Sequence, residues 1–176
     1  MKIIQSSIAI AAVLIVGLVS CTSKSDEGKK SETQVTQQAE SNAIVMLPAF
    51  KMTDANGNIV DMASLKGKKV FVNLWATWCP PCRAEIPSIE ALDRKVDKGK
   101  TAFVMLSLDE SFELAKQFAK KRNMQLPVYY PAEGLPAMFK TDGIPATFIF
   151  NEKGELVKQN NGADDYDTEE YMQLMK

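Results

Sequence analysis

Two cysteines stand two residues apart in Cys79-Pro80-Pro81-Cys82, the most plainly reactive grouping in this 176-residue chain. A thiolate is a nucleophile toward sulfur, and a second thiol one helical turn away can displace whatever the first has captured. The chemistry such a pair performs is thiol–disulfide exchange. Other uses of the pair fit the residues less well. A closed zinc site needs further Cys or His ligands, but the chain has no histidine and only one more cysteine, Cys21, so no metal is expected. A purely structural disulfide normally closes a longer loop, because a four-residue ring removes little chain entropy. The lack of histidine also removes the usual general base, so proton traffic falls to a carboxylate, a lysine, a tyrosine or a thiol. Glu85 stands three residues after Cys82, on the same side of a helix. Read alone, it is more simply a solvated surface carboxylate.

The elements that must position the pair are legible around it. Lys69-Val70-Phe71-Val72-Asn73-Leu74-Trp75 is a β-branched and aromatic run typical of a strand buried on both faces. A helix is expected from about Pro81 to Lys95, so the pair sits where a buried strand hands over to a helix. Unpaired N–H groups and the helix dipole at that end favour a thiolate and lower the pKa of Cys79. Pro80 and Pro81 give up donors that a helix start does not need, and they stiffen the short ring. Trp78 is expected to shield the reactive sulfur, and Trp75 to lie in the core. Upstream, Ala49–Val60 reads as a hairpin turning at Asp54-Ala55-Asn56-Gly57-Asn58. Downstream, strands are expected at Ala102–Leu108, Pro127–Tyr130, Thr147–Asn151 and Leu156–Gln159. Helices are expected at Ser111–Arg122, Leu135–Lys140 and Thr168–Met175. Such alternation predicts an α/β domain with a mostly parallel central sheet and a hairpin at its edge.

The first residues read as an address. A charged Met1-Lys2, a mostly apolar run to Val19 and small residues at its end describe an export signal over residues 1–20, too short for a convincing spanning helix. Leu18-Val19-Ser20-Cys21 resembles the lipobox of bacterial lipoproteins, which implies cleavage before Cys21 and lipidation of its thiol. Two or more acyl chains would hold such a protein stably at a membrane surface. Residues 21–45 then form a lipidated start and a polar tether that cannot bury enough surface to order itself, leaving 46–176 as the domain. Acidic and basic residues are interspersed, for a net charge of −1, and there is no basic stripe of the kind that binds nucleic acid.

Trp75-Ala76-Thr77-Trp78-Cys79-Pro80-Pro81-Cys82-Arg83-Ala84-Glu85-Ile86-Pro87 closely resembles the active-site run of the TlpA/ResA-like thioredoxin family. Gly143-Ile144-Pro145-Ala146-Thr147-Phe148 resembles the second signature of that family, in which the proline bond is cis. On its own, Pro145 reads as an ordinary loop proline. The resemblance covers about Leu47 to Lys176 and implies a thioredoxin-like fold, with a central mixed sheet flanked by helices and an N-terminal β-hairpin. It also implies a tethered, extracytoplasmic thiol–disulfide oxidoreductase that needs no cofactor. Cys79 and Cys82 would be its catalytic thiols, and Glu85 would manage protons at the buried cysteine. Trp78, Pro80, Pro81, Ile144 and Pro145 would meet the substrate. Protein thiols and disulfides, a membrane thiol donor, and cytochrome c biogenesis or general protein repair come with the resemblance. The expected direction is reductive and the expected location is periplasm-facing. Two alternatives remain. A thiol peroxidase of the peroxiredoxin type would need an activating Arg and Thr, and Thr77 lies too close to Cys79 for the usual spacing. A copper-delivery module would need a wider cysteine spacing and a histidine.

Overall fold

A computed structural model of the chain describes residues 44–176. The signal segment, Cys21 and the tether through residue 43 lie outside the described residues. Seven strands form one sheet: β1 (Lys51–Asp54), β2 (Ile59–Asp61), β3 (Lys69–Trp75), β4 (Thr101–Ser107), β5 (Val128–Pro131), β6 (Ala146–Phe150) and β7 (Leu156–Asn161). Their order is β2-β1-β5-β4-β3-β6-β7. Three helices accompany them: α1 (Pro80–Lys95), α2 (Phe112–Arg122) and α3 (Glu169–Met175). The observed fold is thioredoxin-like.

The expectation of a mostly parallel sheet needs correction. Only β3–β4 and β4–β5 pair in parallel, and the other four pairings are antiparallel. A parallel pair needs a crossover connection, and only α1 and α2 supply one. Between β5 and β6 the chain makes a single 3-10 turn, Ala137–Phe139, where the sequence predicts a short helix. β6 therefore returns against β3, and β7 folds back on β6 through a tight turn at Gly154, whose φ of +81° favours glycine. A second 3-10 turn, Met62–Leu65, was not evident from the sequence. It is capped locally by the Asp61 carboxylate, which accepts the Ala63 N–H at 2.9 Å.

Strand alternation sorts the core into two layers. Val70, Val72 and Leu74 of β3 meet Val104, Leu106, Phe139, Phe148 and Phe150 on one face. Phe71 and Trp75 face the other way, toward Ile86, Ile89 and Leu92 of α1 and Tyr171 and Met175 of α3. Asn73 falls between Phe71 and Trp75 in this alternation, so a polar side chain points into the helix-covered layer with no exposed surface. Its cross-strand neighbour is Thr147 of β6, also buried. This one register places two polar side chains under the helix that starts at the cysteines.

Candidate active site

Cys79 caps α1, and the Cys82 N–H points at its sulfur from 3.2 Å. Pro80 and Pro81 fill the first two helical positions and are exposed. The two cysteines are joined as a disulfide, with Cα atoms 5.3 Å apart. Cys82 has no exposed surface, whereas Cys79 retains a small opening to solvent, at 3%. The Cys79 sulfur lies 3.7 Å from the carbonyl oxygen of Ile144, and the Ile144–Pro145 peptide is cis. Chain segments 65 residues apart thus meet at one atom.

The loop between β3 and α1 is held by a residue that sequence reasoning missed. Asp109 is 3% exposed, and its carboxylate accepts the Thr77 N–H at 3.1 and 3.2 Å, the Thr77 hydroxyl at 2.6 Å and the Ser107 hydroxyl at 2.8 Å. A buried carboxyl needs this many partners to offset its lost hydration. The only signal was an acidic residue just past the end of a buried strand. Thr77 is engaged by Asp109, so it does not support the peroxidase alternative. Trp78, expected to shield the sulfur, is 63% exposed. With Leu108, Leu135, Phe139 and Ile144 it lines an apolar groove of about 490 Å³.

Glu85 is not the surface carboxylate that its helical position alone implies; it is 3% exposed. Its Oε1 accepts from the Asn73 side-chain amide at 2.8 Å, and its Oε2 accepts from the Asp164 N–H at 3.2 Å. Burial pushes its pKa up to about 7, against the two hydrogen bonds, which act to lower it. The network continues inward. Asn73 also donates to the Thr147 hydroxyl at 2.9 Å, and Thr147 shares a 2.7 Å hydrogen bond with the Tyr166 hydroxyl. Tyr166 stays protonated, its pKa pushed up to about 12 by burial and by the nearby Glu85 charge. The Asn73 Oδ1 is buried without a partner. A carboxyl that titrates near neutrality, one helical turn beyond a buried thiol, is equipped to take and return the thiol proton. Asn73, Thr147, Asp164 and Tyr166 come from three separate parts of the chain.

These features can be set beside known proteins. The Redoxin family profile matches residues 42–174. The thiol–disulfide oxidoreductase ResA of Bacillus thuringiensis is 31% identical over 118 residues, 65% of this chain and 67% of its own length. The thioredoxin-like protein YneN of Bacillus subtilis is 31% identical over 149 residues, covering 84% and 85% of the two chains. Among solved structures, a secreted Mycobacterium tuberculosis disulfide oxidoreductase homologous to E. coli DsbE superposes with a TM-score of 0.61 at 25% identity, covering 72% of this chain and 94% of that one. With the thioredoxin-like fold and the capped cysteine pair already in hand, the chain belongs to the redoxin family, as a thiol–disulfide oxidoreductase of the ResA type.

Proposed function

We propose that the chain is an exported, lipid-anchored protein-disulfide reductase working through Cys79 and Cys82. The Cys79 thiolate attacks one sulfur of a substrate disulfide, forming a mixed disulfide and releasing the other substrate sulfur as a thiolate that takes up a proton. Cys82 then gives its proton to Glu85 and attacks the Cys79 sulfur. The second substrate sulfur leaves and is protonated, and the Cys79–Cys82 disulfide remains. A membrane thiol donor restores the dithiol with two electrons and two protons. Trp78, Pro80, Pro81, Ile144 and Pro145 meet the substrate as it approaches the attacked sulfur, and the apolar groove beside Trp78 accepts the substrate chain.

The reductive direction rests on Glu85. A carboxylate buried on the cysteine side of α1 opposes a second negative charge on sulfur, so it disfavours the thiolate form of the dithiol. Destabilising the reduced, ionised state lowers the potential, the reverse of what makes DsbA a strong oxidant. The equilibrium potential in dithiothreitol or glutathione buffers tests this. A value near or below about −250 mV is expected, and one near about −120 to −180 mV would make the protein an oxidant or isomerase.

Export and anchoring rest on the Leu18-Val19-Ser20-Cys21 ending of an apolar first segment, and the Mycobacterium tuberculosis relative is itself secreted. Radioactive palmitate fed to expressing cells should label the chain. A label that persists in Cys21→Ser would refute the anchor.

A further inference from the structure

Pro80 borders a second groove, and its lining is unlike that of the apolar one beside Trp78. It holds about 550 Å³ between α1 and α2 and is lined by Pro80, Arg83, Ala84, Phe118, Lys121 and Arg122. A smaller cavity of about 160 Å³ shares Arg83, Phe118 and Arg122 with it. Phe118 is fixed from below by the Trp75 ring at 5.4 Å, and the Arg122 guanidinium lies 5.4 Å above its face. Three cations therefore converge on an aromatic floor next to the disulfide. Among the described residues none of the three pairs with a carboxylate. Glu90, the carboxylate lining the smaller cavity, is engaged by the Gln125 N–H at 2.9 Å. The chain as a whole carries a net charge of −1, so the cluster does not reflect a generally basic surface.

We propose that this groove docks an acidic segment of the protein partner, lying next to the partner's reactive cysteine. The inference rests on exchange through Cys79, as set out above. Like charges left unpaired around one concavity repel each other, and an anionic occupant removes that repulsion. Arginine suits the role, because its planar fork binds a carboxylate through two hydrogen bonds. A polypeptide fits better than an anionic membrane surface. Pro80, the residue after Cys79, is part of the wall, so a partner that brings its own sulfur to Cys79 can fill the groove at the same time. The substrate class is thus a cysteine with glutamate or aspartate close by in sequence or space. Positioned at the edge of the contact, these cations act mainly on encounter and binding.

The test uses the full chain in its dithiol form and three disulfide-bridged peptides of equal length, with Glu, Gln or Lys flanking the cysteines. At low ionic strength the rates should fall in the order Glu, Gln, Lys, with about a tenfold or larger spread between the extremes in kcat/KM. The spread should collapse in about 0.5 M salt, where the screening length is only a few ångströms. The triple variant R83E/K121E/R122E should reverse the order. The peptide and salt arms on the parent chain decide the matter even if that variant does not fold. Equal rates on the three peptides overturn the proposal. If phosphatidylglycerol vesicles then slow the parent but not the variant, the groove belongs to a membrane surface instead. No exchange of the dithiol form with any peptide, together with no reduction of the disulfide form by dithiothreitol, would refute the oxidoreductase reading itself, and the docking surface with it.

Discussion

Cys79→Ala is expected to exchange disulfides no faster than the uncatalysed background, whereas Cys82→Ala should accumulate as a one-to-one mixed disulfide with its partner. The asymmetry follows from where the two sulfurs sit. Cys79 is the helix cap, receives the Cys82 N–H, and keeps the only exposed surface of the pair. As a thiolate it benefits from the helix end by about 0.3–1 kcal/mol, and more where water is excluded. Cys82 is fully enclosed in the first turn, so it can attack only the Cys79 sulfur of the mixed disulfide. Without Cys79 the buried thiol has nothing to reach. Without Cys82 the first step proceeds and the second has no nucleophile. Non-reducing electrophoresis distinguishes the two variants. Adducts on Cys79→Ala rather than on Cys82→Ala would invert the assignment.

Glu85→Gln should change the response of both stability and rate to pH. Burial raises the Glu85 pKa from 4.5 to about 7. Between those values the folded chain holds a proton that the unfolded chain has released. Stability therefore falls as pH rises through this window, and the loss is complete above about pH 7. A shift of this size corresponds to about 3 kcal/mol, at about 1.4 kcal/mol per pH unit. Glutamine cannot titrate. Its amide also turns a donor toward one of the two existing donors, Asn73 or Asp164, and that penalty is the same at every pH. The stability difference between parent and variant should thus move by about 3 kcal/mol in the variant's favour from pH 4 to pH 8. Urea unfolding at both pH values measures it. Over the same range the parent's exchange rate should show an inflection near neutrality that the variant lacks. Parallel stability curves would mean that Glu85 is solvated in solution. A retained inflection would assign the proton to another group.

Much of this was readable from sequence where the cause is local. The limits of β3 at Lys69 and Trp75 coincide with the expected strand, because a strand buried on both faces needs an unbroken apolar run. Cys79 and Cys82 needed only their own neighbours. Strand direction was not readable, since alternation marks a strand without naming its partner, and the return of β6 against β3 emerged only with the fold. Glu85 illustrates the same limit. A carboxylate on a helix belongs in water by default, and this one is buried only because the Asp164–Tyr166 segment, 79 residues along at its first contact, closes over it. Asp109 escaped notice for a similar reason, since its partner Thr77 lies 32 residues away. Thr147 was visible inside a motif, but its bond to Asn73 depends on the β3–β6 register.

That register also divides the molecule along its length. β3 runs toward the disulfide and β6 runs away from it, with Leu74 beside Ala146 at one end and Val70 beside Phe150 at the other. The turn at Gly154 lies beyond the Val70 end, and there the incoming chain is stitched down. Leu47 donates to the Gly154 carbonyl, Leu156 donates to the Val45 carbonyl, and Met46 bridges to Glu155. The protein has a working pole and a mooring pole, separated by a strand length of about 20 Å. A bead, a surface or a fluorophore attached through the mooring pole leaves the cysteines facing outward. Immobilisation at that end should therefore preserve turnover, and a label there can report on a bound partner without standing in its way.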